Sequence, residues 1–199
     1  MAHFTGPKDK LSRREGVDLF GKGSKLTRLM VPPGIHGPRG TRRLSQYGRQ
    51  LREKQKVKRM YGVMERQFKR YIEIALKSRG STGEVLLSLL ERRLDNVVYR
   101  LSFAQTRPGA RQLVSHRHVL VNGKRVNIPS YQVKTGEVVT LSSVAMEIPH
   151  IKKLLQEEDV KSPAWLTRKG AAGKVVTLPK RDDVPEFISE QDIVEFYSR

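Results

Sequence analysis

Two sets of side chains in the middle of the chain could bind a polyanion: Arg93, Asn96 and Arg100, followed by Thr106, Arg107, Arg111, Gln112, Ser115, His116, Arg117, His118, Asn122 and Lys124. Guanidinium groups present the forked donors that phosphate oxygens accept, while hydroxyls, amides and imidazoles can hydrogen-bond sugars or bases. The chemistry on offer is nucleic-acid recognition. Nothing beside it looks catalytic, since the chain has no Gly-rich phosphate loop, no Ser-His-Asp set and no paired carboxylates in an apolar setting.

The elements that must position these groups follow from periodicity. At 100° per residue Leu86, Leu87, Leu90, Leu94, Val97, Val98 and Leu101 fill one arc of a helix. Arg93, Asn96 and Arg100 line another, so one face packs and the other is basic. Thr106 caps a second helix that tolerates Pro108 in its first turn, and Arg107, Arg111, Ser115 and His118 fall within about 80° of one another. Ala110, Leu113 and Val114 then face inward. Asn122-Gly123, between Val119-Leu120-Val121 and Arg125-Val126, predicts a two-residue hairpin turn, because both turn residues need positive φ.

Composition agrees with a polyanionic partner. The 199 residues hold 39 Lys and Arg against 20 Asp and Glu, a net charge of +19, with 37% hydrophobic residues to build a core. No run approaches about eighteen consecutive apolar residues, and Met1 to Pro7 carries no apolar signal segment, so neither export nor membrane spanning is expected and the location expected is the cytoplasm. With no Cys there is no disulfide, thiolate metal site or cysteine nucleophile. The charge is uneven: residues 41 to 70 hold 11 basic and 2 acidic residues, whereas residues 180 to 199 hold 3 basic and 6 acidic ones. The basic run at 49 to 59 has only Glu53 as acid, and unmatched like charges on a helix repel, which favours phosphate contact over a merely solvated face. Structured RNA suits it better than duplex DNA, as no long recognition helix or zinc finger is visible.

Gly and Pro at short intervals make residues 1 to 40 an extended basic arm, ordered when phosphates neutralise it. A helical domain begins at 41 to 85, where Val57, Met60, Tyr61, Met64, Phe68, Ile72 and Ala75 recur at three- and four-residue steps and Gly62 breaks the run. An αβ RNA-binding module occupies 86 to 178, with strands near 119 to 122, 125 to 128, 138 to 141 and 174 to 178 and a helix at Ile148 to Glu158. A segment from 179 to 199 ends in a helix started by Ser189 and Asp192 and containing Ile193, Val194, Phe196 and Tyr197. Trp165 reads as a core anchor. His116 and His118, two apart on a helix, point away from each other and are not metal ligands.

The order of two basic helices and a hairpin resembles the small RNA-binding fold named after the fourth protein of the small ribosomal subunit. The likeness extends to Arg13-Arg14-Glu15-Gly16, Pro33-Gly34-Ile35-His36-Gly37 and Leu44 to Lys56 before the module. It continues with Ile128-Pro129-Ser130-Tyr131, Pro163-Ala164-Trp165-Leu166 and Ile193 to Arg199 after it. The chain is thereby identified as a member of the family of bacterial small-subunit ribosomal protein four. The resemblance implies an α+β fold: an N-terminal arm and helical domain, completed by the C-terminal helix, with an inserted αβ module of two to three helices on a small, mainly antiparallel sheet. It implies a structural constituent of the small subunit, with no cofactor, small-molecule substrate or membrane. The implied partners are small-subunit ribosomal RNA at a multi-helix junction of the 5′ domain, small-subunit proteins three and five, and messenger RNA (mRNA) where it enters the subunit. Assembly nucleation and translational accuracy are the implied roles.

On that footing Arg13, Arg14, Lys22, Arg42, Arg43, Tyr47, Arg49, Gln50, Arg52, Lys54, Lys56, Lys58 and Arg59 join the module's polar residues as expected RNA contacts. Asp182, Asp183, Glu186 and Glu190 are expected at the border with a basic neighbour, protein five. Many relatives hold zinc with four cysteines in the arm; here Asp9 and Ser12 lie near the first pair and the segment from Lys22 to Gly34 is shortened, which marks the zinc-free form and leaves RNA contact to hold the arm. Two rivals are weaker. Pseudouridine synthases that carry the same module use an Arg-Leu-Asp segment like Arg93-Leu94-Asp95, but they need a separate catalytic domain, and Asp95 is expected on the helix surface as a partner for arginines. A transient quality-control factor would be little more than module and tail.

Overall fold

The computed structural model describes residues 4–37, 43–157, 162–184 and 187–198. The chain divides into two compact units, Met1–Gly83 with Glu186–Arg199, and Glu84–Pro185.

In the first unit α1 (Lys8–Glu15), α2 (Gln46–Met60), α3 (Glu65–Lys77) and the last helix, α9 (Glu190–Tyr197), are the helical elements described beside a short 3-10 turn at Gly23–Lys25. Gly62, at φ 63, separates α2 from α3 where the sequence places the break. Val57, Met60, Phe68, Tyr71, Ile72 and Ala75 are buried, and Ile193 of α9 is fully buried as α9 packs on α2. Ser189 starts α9 but its side chain makes no cap.

The expected extended arm is instead folded over part of its length. α1 ends on Gly16 in the left-handed region, whose N–H bonds the Ser12 carbonyl. Ser12 is buried and its Oγ accepts from the Leu19 N–H at 3.4 Å, while Asp18 carboxylate oxygens accept from Phe20 N–H at 3.1 Å and Gly23 N–H at 2.7 Å. The sequence signs of extension, Gly and Pro, mark turns between these short pieces.

The second unit holds α5 (Leu94–Arg100), α6 (Arg107–Ser115), α7 (Ser143–Met146), α8 (Pro149–Gln156) and most of α4 (Thr82–Glu91). Its sheet runs β2 (Lys124–Arg125), β1 (Val119–Val121), β3 (Val138–Leu141), β5 (Ala172–Val175), β4 (Leu166–Lys169) in spatial order, all antiparallel. This is the α+β class read from the sequence. β4 is a strand beyond those the sequence predicts, and β5 begins two residues earlier than expected. Their two-residue turn rests on Gly170 at φ 55, a conformation costly for any other residue.

The single helix expected from Leu86 to Leu101 is two helices. Arg93 is extended, with φ −62 and ψ 136. The break is fed by the segment after β2: Leu94 N–H bonds Tyr131 O at 2.9 Å, Asp95 N–H bonds Pro129 O, and Val133 N–H bonds Arg92 O. Those carbonyls satisfy the orphan amides of the α5 N-terminus. Leu94, Val97, Val98 and Leu101 then pack with Phe103, Val119, Val139, Ile151 and Trp165 in one core. α5 comes so close to the sheet that a Cβ on Gly173 would stand 2.4 Å from Leu101.

Candidate nucleic-acid interface

α6 and the hairpin after it assemble one polar surface. Thr106 Oγ1 accepts from Gly109 N–H at 3.2 Å, capping α6 as its sequence requires. Ala110, Leu113 and Val114 are buried, so Gln112 and Ser115 are exposed on the opposite side, with Arg107 and Arg111 partly exposed at its edge. His116 closes the helix and Arg117, at φ 64, turns the chain toward β1. That turn takes His118 off the helix, so the two imidazoles do not diverge as expected; their ring centres lie 6.3 Å apart. No group of three or more His, Cys, Asp or Glu side chains suited to a metal occurs among the described residues. Asn122 (φ 49) and Gly123 (φ 79) make the expected turn, pinned by Val138 N–H to Asn122 Oδ1 at 2.9 Å and Asn122 N–H to Val138 O at 2.8 Å. Lys124 is exposed beside it, as is Arg125, a cation the sequence reading did not select.

Behind this surface three expected contact residues are turned inward. Arg93 is fully buried and Asn96 nearly so, and Arg100 is spent on a buried carboxylate. Glu91, at 0% exposure, accepts from Asn96 Nδ2 at 2.7 Å and from Arg100 Nε and Nη2 at 3.0 and 2.7 Å. Arg93 forms a two-pronged pair with Asp95, at 3.1 and 2.9 Å. Asp95 is therefore buried rather than a surface partner, and it presents no carboxylate to a substrate. Burial of an unpaired ion costs several kcal/mol, so each of these charges needs the other. The sequence held a signal: Glu91 stands four after Leu87 and three before Leu94, on the apolar stripe, where a carboxylate demands a buried donor.

The α2 run is likewise less available than its composition suggests. Arg52 and Arg59 pair with Glu15 of α1, Lys56 with Glu53, and Lys54 and Lys58 with Glu65 of α3. Gln50 is buried and donates to Glu195 at 2.7 Å. Acids distant in sequence therefore supply the counterions that the run itself lacks. Burial opposes ionisation of Glu65, but hydrogen bonds from Lys54, Lys58 and Tyr197 outweigh it and hold the carboxyl down at about 2. Burial and the same hydrogen bond push the Tyr197 phenol up. Burial raises Glu15 above its usual value, against the pull of Arg52 and Arg59. Arg43, Tyr47 and Arg49 are exposed, with the Tyr47 ring 5.6 Å from that of Phe196. Arg66, Lys69 and Arg70 of α3 are further exposed cations, beyond the basic run that the sequence singles out at 49 to 59.

In the arm Arg14 and Lys22 are exposed, Lys22 pairing with Asp9, and Arg13 donates to the Val31 and Pro32 carbonyls at 2.9 and 3.2 Å. The arm is thus tied by its own side chains. Asp9 and Ser12, committed to Lys22 and Leu19, do not fit a zinc ligand set. Of the acidic set, Asp182 is exposed, whereas Asp183 accepts from Lys180 N–H at 2.8 Å and Glu190 packs against Gly83. Arg42 and Glu186 lie outside the described residues.

Residues 3–91 match the family described as ribosomal protein S4/S9 N-terminal domain, and residues 92–139 match the S4 domain. The chain is 54% identical over 208 residues to the small ribosomal subunit protein uS4 of Dictyoglomus turgidum, with 100% of each chain covered. This chain belongs to the uS4 family. The uS4 protein of Chloroflexus aurantiacus is 52% identical over 206 residues and the uS4A protein of Symbiobacterium thermophilum 50% over 208, again with full coverage of both chains. The family is structural and non-enzymatic. No helix among the described residues is long and apolar enough to cross a membrane.

Proposed function

We propose that this protein is a structural, RNA-binding constituent of the small ribosomal subunit in the cytoplasm, binding the subunit's ribosomal RNA directly at a multi-helix junction of the 5′ domain. The observation that carries the reading is the set of polar side chains that α6 and the following hairpin present between Thr106 and Lys124, held in shape by a capped helix and a pinned hairpin. Arg107, Arg111, Gln112, His116, Arg117, His118, Asn122 and Lys124 contact phosphates and sugars there. Arg14, Lys22, Arg43, Tyr47 and Arg49 contribute from the helical unit, and Arg42 belongs with them by charge. Of the paired α2 side chains, Arg52, Lys58 and Arg59 keep partial exposure and add to the local field, while the cations Lys54 and Lys56 and the neutral Gln50 act by packing.

Early binding of this kind helps nucleate assembly by holding several RNA helices in one arrangement. Proteins three and five are the neighbours, and mRNA passes close by where it enters. The exposed carboxylate of Asp182 suits a basic protein neighbour better than RNA, whose phosphates it would repel. The test is a filter-binding titration of a 5′-domain transcript at several salt concentrations. If roughly 6 to 10 phosphates are neutralised, affinity falls by about 10³ to 10⁵ between 50 and 200 mM salt on the duplex scale and somewhat less for irregular RNA. A slope near zero would remove the electrostatic surface from the reading.

A further inference from the structure

Two buried carboxylates and an amide stand between the core of the second unit and its basic surface. Glu91, wholly buried, takes both Nδ2 of Asn96 (2.7 Å) and the Arg100 fork. The Asn96 Nδ2 also donates to the Glu91 backbone carbonyl at 3.0 Å. With its nitrogen bound to two acceptors of one residue, the Asn96 amide has one orientation, and its Oδ1 faces α6. There it accepts from Arg107 Nε at 2.9 Å. The Arg107 guanidinium carbon also lies 4.5 Å from the centre of the Tyr99 ring, so the group is held by its Nε edge and by one face. Tyr99 and Asn96 sit three apart on α5 and therefore present both restraints from one side.

We infer that Asn96 is a positioning residue for RNA recognition: oriented by Glu91, it fixes the Arg107 guanidinium in a single plane before RNA arrives. The inference rests on the RNA-binding reading above and adds how the site is prepared. A surface arginine loses rotamer freedom when it grips a phosphate, and a guanidinium already immobilised by Asn96 and Tyr99 has lost most of it beforehand. A forked donor also gains more from a set plane than a lysine would, because its two N–H groups must meet the anion together. Burial of Glu91 keeps its carboxylate out of competition with phosphate, while its charge is met by Arg100.

A double-mutant cycle with RNA affinity as readout tests this. Asn96→Ala, Arg107→Ala and the double variant are titrated against a transcript of the 5′ domain of small-subunit RNA, with thermal melting of each protein in parallel. Asn96→Ala is expected to weaken binding by about tenfold in the Arg107 background, and to add less than about twofold once Arg107 is already alanine. Its effect on melting should persist in both backgrounds, since the Glu91 bond is lost either way. Tyr99→Leu, which keeps an apolar side chain but removes the ring, runs through the same cycle and carries the test should Asn96→Ala fail to fold. Equal losses of affinity in both backgrounds, or none in either, would overturn the positioning role while leaving RNA binding intact. Unchanged affinity of Arg107→Ala would overturn it as well. Absence of salt-sensitive binding by the wild type would instead sink the RNA reading itself.

Discussion

Lys54 of α2 and Glu65 of α3 meet at 2.8 Å across the turn that holds Gly62, and the same carboxylate takes the Tyr197 hydroxyl of α9 at 2.7 Å. One carboxylate thus ties three helices of the first unit. The Lys54 ammonium also lies 4.6 Å from the centre of the Phe196 ring, which places both aromatic residues of α9 around one cation.

The pH dependence of that tie has a definite sign. Glu65 is held at about 2, below its usual 4.5, so its contribution to stability is fully present above 4.5 and is lost as pH falls toward 2. Glu65→Gln should flatten the pH dependence of the urea midpoint across that window. Glu15, raised by burial, pulls the opposite way, so only a comparison of wild type and variant isolates Glu65.

Docking of α9 depends more on Ile193 than on its aromatic residues. Ile193 is 0% exposed, and Ile193→Ala should destabilise the protein by about 2 to 5 kcal/mol in urea melts. Phe196 is only partly buried, so Phe196→Ala should cost roughly half as much as truncation of a fully buried ring, about 2 kcal/mol. A larger loss from Phe196→Ala than from Ile193→Ala would contradict this ordering.

Arg107→Ala with Arg111→Ala should weaken binding to junction RNA at least tenfold, since charge-assisted contacts contribute about 1.5 to 3 kcal/mol each. Circular dichroism should report an unchanged helix content, because neither residue lies in the apolar core.

Asp182→Lys should leave melting temperature and RNA affinity within error of the wild type, while weakening capture of purified small-subunit protein five and shifting a misreading reporter. Asp183 is not suited to the same experiment, as its carboxylate accepts from the Lys180 amide and reversal would disturb the local turn. RNA affinity lost with fidelity unchanged would place Asp182 on the RNA side.

Local signals carried much of this architecture. Thr106 with Pro108, Asn122-Gly123 and Gly62 are short-range instructions, each found where the sequence places it, and of the three- and four-residue recurrence from Val57 to Ala75 all but the exposed Met64 are buried. What could not be read locally was decided by distant partners. The break at Arg93 exists because Pro129 and Tyr131 carbonyls take its neighbours' amides, some 35 residues on. The α2 cations looked unmatched because Glu15 and Glu65 lie outside the run, with a separation of 44 residues between Arg59 and Glu15. β4 shows little alternation of its own and is specified by its turn at Gly170 and its pairing with β5. On α6 and the hairpin Gln112, His116, Arg117, Asn122 and Lys124 are exposed, whereas the polar face of α5 is closed off by the buried acids Glu91 and Asp95.

The near approach of Leu101 to Gly173 also acts as a gauge on folding. β5 pairs β3 through Val138 with Lys174, Val139 with Gly173 and Thr140 with Ala172. Slipping β5 by one residue would bring Ala172 or Lys174 under the Leu101 side chain, whose Cδ atoms a Cβ there would have to push aside. A misaligned hairpin therefore closes beneath α5 only by displacing the buried Leu101 side chain, so the helix that backs the basic surface seats best on a correctly paired sheet.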